Sequence, residues 1–299
     1  MSKFKIDDNG HCEVPEGVTE LGRRAFYGRT GMKTVTIPTS VTVIGEGAFY
    51  GCTGLTSVTI PASVTTIMYG AFNKCTGLAS VVMPDGLTRV GELAFALTNL
   101  TKVTLPSSVV EVGSAAFERC RGLSEIMIEA GLSAIPDCLC NGCTGLTRVA
   151  IPDSVTRIGY AAFRGCTGLT SVTIPDSVTV IDDGAFSGCT GLAEITIPAS
   201  VTNISHSAFF GCTGLTSVTI PDGVTKIGDY AFYGCTGLTS VTIPDSVTDI
   251  GIHAFSGCTG LPAHEGATEV GDHHLQVGWK CATLTWWASE EGKAFDDTE

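Results

Sequence analysis

Apolar residues recur along the chain with a period of 23 residues (49 − 26). One phenylalanine marks each period: Phe26, Phe49, Phe72, Phe95, Phe117, Phe163, Phe186, Phe209, Phe232 and Phe255. A single spacing is shorter, at 22 residues (117 − 95), and Cys140 stands where a phenylalanine is due between Phe117 and Phe163. A fixed period of this length is typical of stacked repeats. The pattern therefore predicts a solenoid of about eleven repeats.

Within one repeat, the pattern predicts a short strand and a return arm. Val58 and Ile60 alternate with Ser57 and Thr59, as in a strand with one buried face, and Pro61 ends this strand because proline has no N–H for a ladder. The next apolar residues are Val64, then Ile67, then the adjacent Ala71 and Phe72, and the steps of three to five residues between them predict a short helical or 3-10 return arm. Stacked at roughly 4.8 Å per strand, eleven repeats form a parallel sheet on the order of 50 Å long.

The repeated unit reads L-x-x-V-x-I-P-x-x-V-x-x-I-G-x-x-A-F-x-x-C over about residues 9–261. This unit resembles the leucine-rich repeat of the BspA-like (Treponema pallidum) class. The resemblance implies a curved leucine-rich solenoid with a parallel sheet on one face, in a class whose members are often surface antigens, adhesins or binding scaffolds without enzymatic activity. We expect an N-terminal cap at 1–8, the repeat array at 9–261, and a C-terminal cap with an acidic tail at 262–299.

Charge and motif content argue against several classes of function. The chain has 17 Lys and Arg against 30 Asp and Glu, a net charge of −13, and its basic residues are scattered, so no nucleic-acid surface is expected. Neither a G-x-S-x-G nor an H-E-x-x-H motif occurs, and the Gly-rich turns lack the lysine of a phosphate-binding loop. We expect a protein that is not an enzyme and holds no cofactor.

The N-terminal sequence and the hydropathy pattern bear on location. No apolar run follows Lys3 and Lys5, as a secretory signal requires, and no stretch approaches the roughly 18 apolar residues of a membrane span. We therefore expect no membrane span and an intracellular, cytoplasmic protein. A surface location is the alternative if the N-terminus has been trimmed.

The thirteen cysteines are interpreted mainly as core residues, because nine of them share one column of the repeat. Free buried thiols are favoured over disulfides, since parallel side chains on neighbouring repeats have poor geometry for a bridge. Three other groups suggest metal ligands only faintly: Cys120, Cys138, Cys140 and Cys143; His264, His273, His274 and Cys281; and the turn carboxylates Asp85, Asp153, Asp176, Asp222 and Asp245. No metal site is predicted.

The outward positions of the strands are Ser and Thr in most repeats, but the middle of the array departs from this rule. Apolar and charged residues there are the predicted partner-binding residues: Val82, Lys102, Thr104, Glu125, Met127, Arg148 and Ala150. The other interpretation of this patch is sequence drift in older repeats. The function predicted from these residues is a protein-interaction scaffold that binds a protein partner. The alternatives are a surface adhesin or antigen and, from the rows of Thr, an ice-binding solenoid.

The last part of the chain leaves the repeat register and contains all three tryptophans, Trp279, Trp286 and Trp287. An array has an open apolar end that must be covered, so residues 275–288 are interpreted as a C-terminal cap. A partner-binding segment is the alternative. Phe4 and Ile6 are expected to cover the other end.

Overall fold

The computed structural model describes residues 4–129 and 131–261, and each repeat contributes up to two short parallel strands to a solenoid. In the first strand of a repeat, outward hydroxyl residues flank a buried centre: Val58 is 4% exposed between the exposed Ser57 and Thr59. The strands of this first column are β1 (His11–Glu13), β3 (Thr34–Thr36), β5 (Ser57–Thr59), β7 (Ser80–Val82), β9 (Lys102–Leu105), β11 (Glu125–Ile128), β13 (Arg148–Ala150), β16 (Glu194–Thr196), β18 (Ser217–Thr219) and β20 (Ser240–Thr242).

A second column of strands follows the proline position of each repeat. Its eleven members match the predicted number of repeats: β2 (Glu20–Leu21), β4 (Val43–Ile44), β6 (Thr66–Ile67), β8 (Arg89–Val90), β10 (Glu111–Val112), β12 (Ala134–Ile135), β14 (Arg157–Ile158), β15 (Val180–Ile181), β17 (Asn203–Ile204), β19 (Lys226–Ile227) and β21 (Asp249–Ile250). Every strand pair is parallel and in register between neighbouring repeats, as in Ile44 opposite Ile67. The predicted repeat solenoid is therefore confirmed.

Strand pairing along the two columns is interrupted at several joints. The first column forms the sheets β1-β3, β5-β7, β9-β11-β13 and β16-β18-β20, and the second forms β2-β4-β6-β8-β10, β12-β14-β15 and β17-β19-β21. In the described part of the chain, repeats 8 and 9 are the one pair of neighbours without strand pairing in either column. Turn hydrogen bonds still join them, such as Phe186 N donating to Ala208 O at 2.9 Å.

The return arm differs from its prediction, because no helix occurs in the described residues. A two-residue strand and a series of turns take its place. Two residues before the phenylalanine position the backbone is left-handed, with φ of 57° at Gly47, 56° at Gly70 and 56° at Ala115. A right-handed helix cannot include such residues. Apolar positions three to five residues apart are compatible both with a helical turn and with a short strand followed by turns. The helical interpretation of this arm was wrong.

The core consists of ladders of identical residues. Phenylalanine rings of neighbouring repeats stack face to face, with centroids 4.9 Å apart for Phe49 and Phe72 and 5.7 Å apart for Phe186 and Phe209. Both Phe72 and Phe186 are fully buried. Such parallel stacking adds to the hydrophobic stabilisation of the buried rings. The buried Cys140 occupies the phenylalanine position of repeat 6 and so separates the stack into two parts.

The cysteine column is buried as predicted, and the twelve described cysteines are free. Each thiol of the column bonds to a backbone carbonyl of the preceding repeat: Cys75 Sγ donates to Phe49 O at 2.9 Å, and Cys212 Sγ donates to Phe186 O at 3.2 Å. In this way the column supplies weak donors to carbonyls that are buried next to the phenylalanine stack. Burial raises the pKa of Cys212 to about 12.

At the N-terminal end, Phe4 stacks on Phe26 with ring centroids 5.0 Å apart, and Ile6 packs against the core. These contacts agree with a role for both residues in covering the first repeat. The tryptophan-containing cap predicted at 275–288 and the acidic tail lie outside the described residues. The domain boundaries therefore stay a prediction.

Candidate binding face

Three charged side chains form a row across the first column in repeats 5 to 7. The strand register places Glu125 between Lys102 and Arg148. Lys102 Nζ lies 3.3 Å from Glu125 Oε2, and Arg148 Nη1 lies 3.9 Å from Glu125 Oε1. The Glu125 side chain is 25% exposed, whereas those of Lys102 and Arg148 are 74% and 78% exposed. One carboxylate thus holds two cations whose long side chains remain open to a partner.

The local sequence explains why strand pairing in the first column is longest at this point. Repeat 6 has Glu129 at the position where the other repeats have proline, as at Pro106 and Pro152. Glu129 N donates to Leu105 O at 3.0 Å, a bond that proline could not make. The strands β9 and β11 pair over four residues as a result, ending at Ile128 opposite Leu105. The missing proline at Glu129 is the sequence signal for this longer strand pairing.

The apolar members of the predicted patch lie beside this charged row. Met127 stands opposite Thr104 on one side and Ala150 on the other, and its side chain is 44% exposed. Val82 is 63% exposed, but its strand β7 pairs with β5 and not with β9. The structure therefore brings six of the seven predicted residues together on one three-stranded sheet and places Val82 on the neighbouring sheet.

An open cleft borders the row on its C-terminal side, where the first-column pairing between repeats 7 and 8 is reduced to the bridge between Ala150 and Thr173. The cleft has a volume of about 640 Å³. Its lining comes from two segments, 147–151 and 170–173, and includes Arg148. The residues Thr170 to Thr173 were not predicted as site residues, because they have the ordinary letters of the repeat. We call residues 102–105, 125–128, 147–151 and 170–173 the central face.

The faint metal signals find no support in the described part of the chain, where no group of three or more His, Cys, Asp or Glu is arranged to hold an ion. Cys120, Cys140 and Cys143 are buried core residues, and Cys138 is half-buried. Burial is the main reason that the pKa of Cys120 lies well above its usual range. The histidines at 264, 273 and 274 and Cys281 lie outside the described residues. No helix in the described residues is long and apolar enough to cross a membrane.

The fold and the repeat unit define a leucine-rich solenoid. The family model described as a BspA type leucine rich repeat region matches residues 4–124 and 133–262, with six copies. The chain therefore belongs to the BspA-type leucine-rich repeat family. The interval between the two matches begins at Glu125, so the family pattern is interrupted at the central face.

Solved structures give the same assignment. A leucine-rich cell surface protein of Faecalibacterium prausnitzii is 34% identical, with a TM-score of 0.53, over 85% of this chain and 79% of that one. A leucine-rich repeat protein of Bacteroides ovatus is 24% identical, with a TM-score of 0.50, over 87% and 91% of the two chains. The comparison with the Bacteroides ovatus protein shows the fold alone. A search of curated proteins found no match.

Proposed function

We propose that this protein is a non-enzymatic scaffold that binds a protein partner through the central face. The observation that supports this proposal most directly is the row Lys102–Glu125–Arg148 next to the exposed Met127, in a column of strands whose outward residues in the other repeats are mostly Ser and Thr. Arginine and methionine are enriched in protein interfaces, whereas serine is depleted. The cleft beside Arg148 offers room for a side chain of the partner.

The ion pairs of this row contribute little to the stability of the fold. Ion pairs between exposed groups contribute about 0–1 kcal/mol, and Lys102 and Arg148 are both largely exposed. The charged row therefore contributes little to the stability of the fold, and serine or threonine at these positions should support the fold equally well. Met127 is 44% exposed, so part of its apolar surface remains available to a partner. These residues are free to serve recognition.

The proposal is tested with a variant that restores the repeat consensus: Lys102→Ser, Glu125→Ser, Met127→Thr and Arg148→Ser. Partners captured with the original protein are identified, purified and measured for binding to both forms. We expect the thermal midpoint to stay within a few degrees, while affinity for a partner of the central face falls by about tenfold or more, since anchor residues each contribute 1 kcal/mol or more.

A matched control changes the same face outside the row. Glu194→Ser removes an outward charge in repeat 9 and should leave binding unchanged. If the consensus variant binds its partner as tightly as the original protein does, the row is the product of drift and the proposal is wrong.

A second candidate, a cell-surface adhesin, is favoured by one specific comparison. The protein of Faecalibacterium prausnitzii that shares 34% identity is described as a cell surface protein. Antibody labelling of intact cells of the source organism, with a cytoplasmic protein as the permeability control, distinguishes the two locations. Labelling without permeabilisation would favour the adhesin, and labelling only after permeabilisation would favour an intracellular scaffold.

A further inference from the structure

A second surface of the array has a composition opposite to that of the whole chain. We call it the turn ridge: the seven residues of each repeat from two before the phenylalanine position to four after it, as in 24–30. These eleven segments contain six cations and one carboxylate, although the protein has a net charge of −13. The charged residues are Arg24, Arg29, Lys74, Glu118, Arg119, Arg121 and Arg164.

The cations of the turn ridge occupy alternate repeats. Arg24 and Arg29 lie in repeat 1, Lys74 in repeat 3, Arg119 and Arg121 in repeat 5, and Arg164 in repeat 7. Repeats 2, 4 and 6 have no charged residue in this segment. Since strands of neighbouring repeats are about 4.8 Å apart, the charged repeats recur about every 10 Å along the array.

Two of the cations are held in place by aromatic rings. Arg24 Cζ lies 5.0 Å from the centre of the Tyr27 ring, Tyr27 stacks on Tyr50 at 4.9 Å, and Lys74 Nζ lies 5.4 Å from the centre of the Tyr50 ring. The four groups form a continuous stack across repeats 1 to 3. A hydrogen bond from Lys74 to Tyr50 raises the pKa of the lysine. Cations ordered in this way lose less conformational freedom when a ligand binds.

Two cations also stand where the backbone favours glycine. The position two residues after the phenylalanine position is glycine in eight of the eleven repeats, and it has a left-handed backbone, with φ between 67° and 76° at the residues Gly28, Gly51, Gly142, Gly165, Gly188, Gly211, Gly234 and Gly257. Lys74 and Arg119 occupy this position with φ of 60° and 55°. A side chain disfavours such a backbone, so these residues cost stability that glycine would retain. Leu97 is the third residue other than glycine at this position, with φ of 60°, so the strain is not confined to cations; at Lys74 and Arg119 it accompanies an exposed charge.

Most of the carboxylates close to the ridge are engaged with other groups, and the exposed Glu92 of repeat 4 is the exception among repeats 1 to 7. Glu118 Oε1 lies 3.7 Å from Arg119 Nε and accepts a hydrogen bond from Asn141 Nδ2 at 3.2 Å. One residue before the turn ridge, Asp183 and Asp229 each accept a backbone N–H of the next repeat. The exposed side chains of Lys74 and Arg164 have no salt bridge among the ion pairs of the described residues. The ridge therefore presents cations that an anionic ligand could reach.

We infer that the turn ridge of repeats 1 to 7 binds a linear acidic polysaccharide with a carboxylate on alternate sugars. In such an extended polymer the carboxylates recur once per disaccharide, a spacing comparable with two repeats of the array. An extended peptide with acidic residues on one side would place its carboxylates about 6.6 Å apart, out of step with the ridge. The surface tyrosines Tyr27 and Tyr50 add hydroxyl groups that suit sugar hydroxyls.

The test measures binding of the full chain to an end-labelled hyaluronan decasaccharide at low salt, with dextran as the neutral polymer and poly-L-glutamate as the acidic peptide. The key variant is Lys74→Gly with Arg119→Gly, which restores the residue preferred at that backbone. We expect its thermal midpoint to be unchanged or raised and its affinity for the decasaccharide to fall by about tenfold or more. A second variant, Arg121→Thr with Arg164→Ser, should act in the same direction.

The matched control is Lys102→Ser with Arg148→Ser, which removes two cations from the central face instead. This control should keep the affinity of the original protein. An equal loss in the control and the glycine variant would show non-specific attraction, and tighter binding of poly-L-glutamate would assign the ridge to an acidic peptide. Either result, or no binding of the original protein to the decasaccharide, would overturn the inference.

Discussion

The central face and the turn ridge arrange charge in opposite ways on the same repeats. On the central face, charged residues occupy three successive repeats, and the sign alternates from Lys102 to Glu125 to Arg148. On the turn ridge, charges of mainly one sign occupy alternate repeats, with neutral repeats between them. Equivalent residues of neighbouring repeats lie only about 4.8 Å apart, where like charges repel. On these two surfaces, like charges on neighbouring repeats are avoided either by alternating the sign or by skipping repeats.

The largest expected effect comes from the core that supports both surfaces. Phe186→Ala removes a fully buried ring from the stack between Phe163 and Phe209. We expect a loss of about 3–5 kcal/mol in the free energy of unfolding, because a cavity replaces the ring. Urea denaturation measures it, and hydrogen exchange should show that nearby repeats loosen more than distant ones. An unchanged denaturation midpoint would contradict the buried stack.

The second-largest expected effect is on the labelling rates of the thiols, because a buried cysteine reacts only when its repeat opens locally. At pH 8 a thiol-reactive dye attacks the thiolate, and burial raises the pKa of Cys189 and Cys212. The half-buried Cys138 should react first among the twelve described cysteines, and the buried column on the order of a hundredfold more slowly, since it needs local opening. Mass spectrometry of labelled peptides identifies the sites, and equal rates would be incompatible with a closed core.

The alternation of sign on the central face can be broken by Glu125→Lys. This change places three cations on successive repeats, and we expect a loss of about 1 kcal/mol at low salt that shrinks as salt is added. Glu125→Gln is the control, because it removes the attraction without adding repulsion. If the two variants have the same stability at low salt, repulsion between neighbouring repeats is too weak to explain the charge pattern.

The smallest expected effect is on stability and concerns the backbone strain at Lys74 in the turn ridge. Lys74→Gly relieves the left-handed backbone at φ 60°, and we expect a gain of about 0.5–1 kcal/mol in the free energy of unfolding. The matched change Gly51→Lys, at an equivalent position with φ 69°, should cost a similar amount. A stability loss in Lys74→Gly would mean that the stack on Tyr50 outweighs the backbone strain.

Much of the fold followed from the period alone, because buried positions of a stacked array repeat identically. The phenylalanine and cysteine columns and the first strands were predicted for this reason. The second strands were not, since residues such as Thr66 and Ile67 follow a spacing that fits both a helical turn and a short strand. The left-handed residues that exclude the helix were not recognised, because the column at Ala115 and Ala161 is only partly glycine.

The candidate site was predictable only in part. The members of the row were predicted because charged residues replace Ser and Thr at outward positions. The strand register then places Glu125 between its two partners. The cleft could not be predicted, because Thr170 to Thr173 have the usual letters of the repeat even though first-column pairing there is reduced to one bridge. Many hydroxyl residues proved structural, such as Thr147, whose Oγ1 donates to Ser124 O at 3.0 Å.

The joint between repeats 8 and 9 gives the array a mechanical weak point. Elsewhere in the described residues neighbouring repeats share strand pairing in at least one column, whereas here the joint is held by turn bonds, packed side chains and side-chain hydrogen bonds such as that from Ser200 Oγ to Val178 O. When the molecule is stretched from its two ends, the last three repeats should detach before the other eight extend. Tension along the chain would then remove the aromatic end, with Phe210 and Tyr233, and leave the central face and the cationic part of the turn ridge intact.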